Sequence, residues 1–325
     1  RTYEEAYLSF AKFAASIKCD HTHASLWNQE AIINSIIHRQ ADKLPLSFSW
    51  VGERMIISRH CIEGANLQSG TELKSKNGVG VGEILNRMLP YLHRDGGLTA
   101  NKVSKAEVDA YLFRYNSFDA LFPLLFPLDK TVEIVYRHKG AEKSLQIPLL
   151  TREARAKKML EKYPDFPQNP GDLWEYKMLP NAVAYLKIGS FDTDNFNKDW
   201  KAMLRDAFKL FEREKAQDLI LDIRENQGGM DEPGEVLIKY LLKEKCTSET
   251  LVGKTRFLLF PESAKAHIKT WNYWFYDLSK EKHYQEGVYY VFPDEQDELN
   301  LKPSPKAYSG NLYLLTSPQN VSGAY

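Results

Sequence analysis

The sequence predicts an α/β protein built from three consecutive regions. Apolar residues recur at three- and four-residue steps near the N-terminus, which is typical of amphipathic helices. Alternating residues at both ends of the middle region are typical of strands, and later strands alternate with helices. The length of 325 residues exceeds the usual size of one domain. The predicted regions are a helical segment over residues 1–45, an α+β domain over residues 46–155 and an α/β core over residues 156–325.

The composition disfavours several classes of partner. Lys and Arg together number 43, as do Asp and Glu, so the formal net charge is zero. Nucleic-acid binders and proteins that bind anionic membranes carry a basic bias, so neither partner is expected. The longest apolar stretch, residues 118–128, is interrupted by a carboxylate and two prolines, so we expect no transmembrane helix. The cysteines lie far apart and form no metal motif, so we expect no metal and no cofactor.

The first region contains two predicted helices with a polar segment between them. The second helix covers residues 28–41. The polar segment contains His21 and His23, which share a face on an extended backbone. Histidine is the usual base for a nucleophilic serine because it titrates near neutral pH, but a surface loop or a metal site is also possible. The apolar face predicted for the first helix consists of Tyr3, Tyr7, Phe10, Phe13 and Ala14.

The middle region begins and ends with predicted strands. Residues 48–51 and 54–58 alternate or are β-branched at its start. Residues 131–137 and 144–149 alternate at its end, and the Lys-Gly turn between them predicts a hairpin.

The segment between these strands resembles a PDZ domain. Residues 64–79 match its order of a glycine-led turn, a short strand and an Asn-Gly turn, although Thr71 stands where such domains usually carry Asp. A PDZ-like groove binds peptide C-termini by strand addition, and an insertion over residues 94–129 is placed to block that groove. The helix that borders the groove would contain Ile84, Leu85, Met88 and Leu89.

The third region follows a proline-rich linker at residues 164–170. Its strands alternate with helices, which predicts parallel βαβ units. Strands 218–223 and 311–316 are rich in Leu and Ile and are predicted to be buried. The other predicted elements are strands 182–188, 255–260 and 287–292 and helices 196–211 and 233–242.

Each of the two predicted buried strands leads into a turn that is suited to catalysis. The first turn ends in Gly228 and Gly229, where backbone N–H groups can point outward because no Cβ is in the way. In the second turn, Ser322 precedes the small residue Gly323, which can expose a serine hydroxyl beside a backbone N–H. Taken alone, the first is also typical of an ordinary strand-to-helix turn, and Ser322 of a helix N-cap.

Together these segments resemble the tail-specific, or C-terminal processing, serine peptidases, in their tricorn-core-like branch. The resemblance follows the order of an N-terminal His-Thr, the PDZ-like insert, DIRENQGG and GNLYLLTSPQNVSGAY. That family carries Asp-Leu-Arg-x-Asn-x-Gly-Gly in the first turn and Ser-small-small-Glu at the nucleophile. Tyr325 replaces the Glu, and residues 19–22 lack the Gly of the family's Asp-Gly-His-Thr context.

The resemblance implies a crotonase-like α/β core with an inserted PDZ-like domain and a serine endopeptidase activity. Ser322 would be the nucleophile and His21 the general base. The oxyanion hole would use the N–H groups of Gly323 and of Gly228 or Gly229. A lysine beyond residue 325 is the alternative base, and the core is expected to be incomplete at its C-terminus, since the family continues after the nucleophile.

The resemblance further implies a peptide or protein substrate and a bacterial protein that is exported to the periplasm or cell surface, secreted or anchored as a lipoprotein. Two other function classes stay open. One is a non-catalytic binding protein on the same fold, with a peptide or an apolar ligand. The other is a peptide-binding scaffold led by the PDZ-like domain. The sequence does not predict the oligomeric state.

Overall fold

The computed structural model describes residues 2–24, 31, 35–36, 39–65, 67–108, 116–247, 252–270, 272–293 and 300–324. Within these ranges the helices are α1 (Tyr3–Ile17), α2 (Val81–Met88), α3 (Thr99–Ser104), α4 (Ser117–Leu125), α5 (Arg152–Lys162), α6 (Trp200–Arg213), α7 (Asp231–Leu241) and α8 (Glu262–Lys265). The strands before residue 150 are β1 (Leu46–Val51), β2 (Arg54–His60), β3 (Glu72–Lys76), β4 (Val79–Gly80), β5 (Thr131–His138) and β6 (Ala141–Pro148). The later strands are β7 (Trp174–Leu179), β8 (Val183–Ile188), β9 (Asp218–Asp222), β10 (Cys246–Thr247), β11 (Val252–Thr255), β12 (Tyr284–Glu286), β13 (Tyr289–Pro293), β14 (Asn300–Leu301) and β15 (Asn311–Leu315).

Helix α1 forms where predicted, but its predicted apolar face is covered only in part. Its buried residues are Ala11 and Ala15, whereas Phe10 and Phe13 are each 68% exposed. Tyr7 of the predicted face packs against buried core residues, whereas the two phenylalanines are not covered. Helical spacing identifies which residues share a face, but the position of the neighbouring element decides which face is covered. The second predicted helix, residues 28–41, falls largely outside the described residues.

Six described strands form the first sheet, in the order β1-β2-β3-β5-β6 with β4 paired to β3. The pairs are antiparallel. The predicted hairpin is confirmed, because β5 and β6 join through Lys139 and Gly140, which have φ angles of 50° and 83°. The predicted helix after the Asn-Gly turn is also confirmed as α2, which buries Ile84, Leu85 and Met88 in the core of this sheet.

A lysine is enclosed in this core. The Lys76 side chain at the end of β3 is buried, and its amine lies 4.1 Å from the ring centroids of both Phe118 and Phe122 on α4. Within the described residues its Nζ has no hydrogen-bond partner. Burial lowers the pKa of Lys76 well below its ordinary value, and the nearby Asp119 carboxylate opposes this shift. Asp119 is itself held by Arg155, whose Nη1 donates to it at 2.9 Å.

Four described strands form the second sheet, in the order β15-β9-β8-β7. Strands β15, β9 and β8 are mutually parallel, and β7 is antiparallel to β8. Helix α6 connects β8 to β9, and α7 follows β9, so the predicted parallel βαβ arrangement is confirmed. The carboxyl ends of β9 and β15 lie side by side, which brings the turns that follow them to the same edge of the sheet.

Strand β15 is exposed, which corrects the prediction that residues 311–316 are buried. Leu312, Tyr313 and Leu314 are 46%, 53% and 52% exposed. In the described part of the chain, β15 is the outermost strand of its sheet and pairs with β9 alone. An apolar run predicts a strand, but it does not tell how many neighbours the strand has.

The strand predicted at residues 255–260 is displaced toward the N-terminus, since the observed strand is β11, which pairs in a small sheet of order β11-β13-β12. Within the described ranges, no helix has both the length and the apolar character that a membrane span requires.

Candidate active site

The turn after β9 requires glycine at two consecutive positions. Gly228 and Gly229 have φ angles of 92° and 141°, which residues with a Cβ rarely adopt. A Cβ on Gly229 would collide with the backbone of Phe191. The Phe191 N–H donates to the Gly228 oxygen at 2.9 Å, and the Met230 N–H donates to the Phe191 oxygen at 2.9 Å. The chain after β8 therefore fixes the shape of this turn.

Ser322 lies beside the glycine turn in an unusual backbone conformation. It begins the short 3₁₀ turn Ser322–Ala324 with a φ angle of 55°, and it is exposed. A non-glycine residue in this left-handed region stores about 1–3 kcal/mol of strain, and such residues cluster at active sites. A Cβ on Gly228 would lie 2.8 Å from the Ser322 Cβ and 3.2 Å from the Gly323 nitrogen. The N-cap alternative does not fit, because an N-cap residue has an extended backbone.

Two buried asparagines hold these turns together. Asn320 Nδ2 donates to the carbonyl oxygens of Ile223 at 2.5 Å and Asn226 at 2.9 Å, and its Oδ1 accepts the Ser317 N–H at 2.7 Å. Asn226 Oδ1 accepts the Gly228 N–H at 2.8 Å. Buried amides are rarely left unpaired because the cost is high, so these contacts fix both side chains. Sequence reasoning assigned them no role, although polar residues beside the glycine and serine turns were the available signal.

The N–H groups of the two turns are not equally available. The Gly228 N–H donates to Asn226 inside its own turn, so it is not open to a ligand. Within the described ranges, the N–H groups of Gly229 and Gly323 and the hydroxyl of Ser322 have no hydrogen-bond partner. Of the two glycines expected to donate a hydrogen bond to an oxyanion, Gly229 therefore has the available N–H and Gly228 does not.

Asp222 forms a charged network at the end of β9. Its carboxylate accepts hydrogen bonds from Arg224 Nε at 2.9 Å, Arg224 Nη2 at 2.6 Å and the Tyr185 hydroxyl at 2.8 Å. Burial alone would raise the pKa of Asp222, but the hydrogen bonds from Arg224 and Tyr185 lower this pKa to about 2. Burial, followed by the hydrogen bond to Asp222, raises the pKa of Tyr185 to about 12. Asp222 is therefore ionised at neutral pH and acts as a structural anion.

His21 is exposed and makes no hydrogen bond to Ser322. In the described part of the chain it has no hydrogen-bond partner. The neighbouring residue Asp20 is buried: its N–H donates to Asp95 Oδ1 at 2.7 Å, and its Oδ2 accepts from Lys105 Nζ at 3.0 Å. The loop that carries His21 is thus fixed, but the structure does not join His21 to Ser322, and its role stays a prediction.

Helix α3 contacts both the His21 loop and the Ser322 turn. Lys105, directly after the helix, binds Asp20. Asn101 Nδ2 and Ser104 Oγ donate to the Pro318 oxygen at 3.0 Å and 3.2 Å. One short helix therefore lies between the two predicted parts of the site. Nothing in the sequence marked α3 as part of it, because these partners are distant along the chain.

His23, in the same loop as His21, stacks on His93. The rings of His23 and His93 stack with their centroids 4.5 Å apart. Burial, followed by the charge of the adjacent Lys105, lowers the pKa of His93 to about 4. His93 is therefore neutral at neutral pH. Among the described residues, no cluster of His, Cys, Asp and Glu could hold a metal ion.

An apolar cavity opens between α3 and the Ser322 turn. Its volume is about 300 Å³, which is at the lower end of the range for small-ligand pockets. The cavity can accept an apolar group, and part of its wall belongs to the turn that carries Ser322. Its apolar lining is formed by Leu98, Ala100, Ile223, Leu314, Pro318 and Ala324.

The second half of the chain matches a known family in a sequence comparison. Residues 182–324 match the family model described as Peptidase family S41. We call residues 182–324 the S41 segment. The S41 segment contains the glycine turn and the Ser322 turn, whereas His21 and α3 lie before it. Among curated proteins, none matches the sequence.

One solved structure shares the fold over the whole chain, and two others have lower similarity. The chain is similar to a serine-to-alanine mutant of CPAF, with a TM-score of 0.51 and 12% identity over 100% of this chain and 76% of that one. It is also similar to mature CPAF complexed with lactacystin (TM-score 0.44, 14% identity, 82% of this chain and 59% of that chain). A third similar structure is the photosystem II D1 C-terminal processing protease (TM-score 0.36, 15% identity, 99% of this chain and 66% of that chain). This protein therefore covers 59% of the length of the mature CPAF chain in the lactacystin complex.

Proposed function

We propose that this protein is a serine peptidase that hydrolyses peptides or protein C-terminal tails, with Ser322 as the nucleophile. The observation that carries the proposal is the packing of the left-handed, exposed Ser322 directly against Gly228. This arrangement puts a hydroxyl beside backbone donors, which acyl transfer requires. The location of both turns within the S41 segment supports the same reaction.

The proposed reaction has two halves. Ser322 Oγ attacks the peptide carbonyl carbon, and the hydroxyl proton passes to a general base. The oxyanion that forms accepts hydrogen bonds from the N–H groups of Gly323 and Gly229. When the C–N bond breaks, the base returns its proton to the leaving amine. A water molecule, deprotonated by the same base, then hydrolyses the acyl-enzyme and restores the serine.

Gly228 has a different role in this proposal. Because its N–H donates to Asn226, we assign the donation to Gly229 and Gly323. Gly228 instead leaves the space that Ser322 occupies, since a Cβ there would overlap the serine side chain. Loss of one oxyanion donor typically costs about 2.7–4 kcal/mol of transition-state stabilisation.

We propose His21 as the general base. Its ring is exposed, and its loop is attached through Lys105 to the same helix that holds Pro318 in the Ser322 turn. Catalytic hydrogen bonds are often long or poorly aligned before substrate binds, so the lack of a His21–Ser322 hydrogen bond among the described residues does not oppose this role. His93 suits the role poorly because its pKa of about 4 makes it a weak base. A lysine beyond residue 325 is the alternative.

The wider organisation is proposed on the same grounds. The first sheet with α2 would be the PDZ-like domain over residues 46–155, after a helical segment at 1–45. The second sheet would be a crotonase-like core over residues 156–325. The proposed substrate is a peptide or protein tail, and the proposed location is outside the bacterial cytoplasm.

A fluorophosphonate probe tests the proposal directly. The wild-type protein is expected to be labelled at Ser322 and to hydrolyse an unstructured peptide, and Ser322→Ala is expected to lose both. His21→Ala is expected to lower the labelling rate by at least about 100-fold, the usual contribution of a general base. His267→Ala, an exposed histidine in another part of the chain, is the matched control and should change nothing.

The outcomes separate the candidate functions. Hydrolysis that survives Ser322→Ala would show that the nucleophile is elsewhere. An unchanged labelling rate in His21→Ala would point to the lysine alternative. A folded wild-type protein that neither reacts with the probe nor cleaves peptides would favour the non-catalytic binding protein.

A further inference from the structure

The outer edge of β1 is occupied by the chain itself. The Phe48 N–H donates to the Val108 oxygen at 2.9 Å in an antiparallel bridge. The Trp50 N–H donates to Glu107 Oε1 at 2.8 Å, and Trp50 Nε1 donates to the Ala106 oxygen at 2.9 Å. Residues 106–108 therefore accept the hydrogen bonds of the Phe48 and Trp50 N–H groups, which an added strand would otherwise use on β1.

The same segment also reaches the Ser322 turn. Gln319 Nε2 donates to Glu107 Oε2 at 2.8 Å. The two oxygens of one carboxylate thus accept from the first sheet, at Trp50, and from the turn that precedes the serine. Glu107 is only 8% exposed, and hydrogen bonds to a carboxylate are roughly twice as strong as those between neutral groups.

The Ser322 turn has a second contact on the N-terminal side of Gln319, with helix α3. Asn101 and Ser104 both donate to the Pro318 oxygen. On its C-terminal side, Gln319 is followed by Asn320, whose side chain binds the end of β9. The turn is therefore braced by residues 101–107 on one side and by the end of β9 on the other, and Glu107 provides the charged part of this brace.

We infer that Glu107 is a positioning residue for Ser322. It holds Gln319, three residues before the serine, at a fixed place relative to the first sheet, and so keeps the strained Ser322 turn against Gly228. The inference rests on the proposed peptidase function. Glu107 lies outside the S41 segment, and neither of the motif segments contains it. A displacement of about 1 Å at a reacting group can lower a rate by about 100-fold, so a brace at this place affects catalysis without touching substrate.

The experiment uses four variants of the full chain. Gln319→Ala removes the link at the turn and leaves Trp50 paired with Glu107. Glu107→Ala removes both links. Glu107→Gln keeps an amide oxygen for the Trp50 N–H, and the Gln319 amide can turn to pair with it. The fourth is the double variant Gln319→Ala with Glu107→Ala. Gln285→Ala, at an exposed glutamine on β12, is the matched control.

The measurements are kcat and KM on a peptide, the rate of fluorophosphonate labelling, and amide hydrogen exchange over residues 317–324, all well below each variant's Tm. We expect Gln319→Ala and Glu107→Ala each to lower kcat and the labelling rate by about tenfold, as the loss of one hydrogen bond to a charged group does, with KM changed less than about twofold. The double variant should be no slower than Glu107→Ala, and Glu107→Gln should recover most of the rate.

Two results would overturn the inference. One is an unchanged rate in Gln319→Ala, and the other is losses in the single variants that multiply in the double variant. If the wild-type protein does not react with the probe, the peptidase proposal fails on its own, and exchange then decides about Glu107. Faster exchange over residues 317–324 in Gln319→Ala than in Gln285→Ala supports the brace, and equal exchange overturns it.

Discussion

Asn320 donates a hydrogen bond from its Nδ2 to the carbonyl oxygen of Asn226 at 2.9 Å, and this contact joins the Ser322 turn to the glycine turn. The same nitrogen also donates to Ile223 at 2.5 Å. Both acceptors follow β9, so a single buried amide fixes the end of one parallel strand against the turn that leaves the next. The site therefore depends on a group that does no chemistry itself.

Replacing the amide of Asn320 by a carboxylate tests this dependence. Asn320→Asp removes both donated hydrogen bonds and places negative charge against two carbonyl oxygens. We expect the free energy of unfolding to fall by about 2–4 kcal/mol and probe labelling of Ser322 to fall at least about tenfold. Urea unfolding and labelling rates measure these effects. Asn272→Asp is the control, because the exposed Asn272 side chain accepts the Trp274 N–H through its Oδ1 and donates to no described residue. Equal behaviour of the two variants would refute the prediction.

Two glycine-to-alanine variants distinguish the effect of backbone strain from the effect of contact with Ser322. Gly228→Ala imposes the unfavourable φ of 92° and also meets the Ser322 Cβ. Gly52→Ala has a φ of 62° and nothing within 4 Å. Both variants should lose about 1 kcal/mol of stability from the backbone alone. We expect only Gly228→Ala to lose probe labelling, and retention of labelling in that variant would mean that the two turns can separate without harm.

The buried Lys76 is expected to reduce stability. Lys76→Met keeps the length of the side chain and removes the amine, so we expect the free energy of unfolding to rise by about 1–2 kcal/mol at pH 7, after allowance for lost contacts with the two aromatic rings. Because the folded pKa is lowered, the unfolded chain binds more protons, and wild-type stability rises with pH toward the ordinary lysine pKa.

The gain from Lys76→Met should therefore shrink as the pH rises toward about 10. Chemical unfolding at pH 7 and pH 9.5 measures it. Lys143→Met, at an exposed position on β6, is the control and should show no such trend. A destabilised Lys76→Met would mean that the ammonium and the rings attract each other more strongly than burial opposes the charge.

For Asp222 we expect the opposite dependence of folding stability on pH. Its folded pKa of about 2 lies below its ordinary value of 3.8, so its contribution is present above about pH 4 and is lost as the pH falls toward 2. Asp222→Asn should cost about 2 kcal/mol at pH 7, and this cost should decrease between pH 4 and pH 2. Unfolding curves at these pH values, with the exposed Asp165→Asn as the control, test the sign. A cost that is constant with pH would mean that the network does not depend on charge.

The sequence predicted the elements of the second sheet well because their signals are local. The apolar runs in β9 and β15 and the periodicity of α6 each lie within one short window. Which strand is outermost is not a local property, and the exposure of Leu314 was accordingly missed. The proposed preference for Gly229 over Gly228 as an oxyanion donor was also beyond the sequence, because it depends on the Asn226 side chain, which accepts the Gly228 N–H.

The contacts of Glu107 left no signal in the sequence for a related reason. Its partners Trp50 and Gln319 lie far away along the chain, and a single glutamate in a polar stretch is typical of a solvated surface. By contrast, Ser322 and Gly323 were predicted as site residues because two turn motifs occurred in the right order. His21 was named on the same resemblance, but the geometry does not yet pair it with the serine.

The pairing of Phe48 with Val108 also bears on the tendency of the protein to aggregate in concentrated solution. An open sheet edge recruits strands from other molecules, and that is how soluble β-rich proteins begin to aggregate. Residues 106–108 protect the outer edge of β1 from such encounters. A variant in which Val108 is replaced by proline keeps the carbonyl that accepts from Phe48, whereas deletion of the three residues would uncover the edge and lower the protein's solubility.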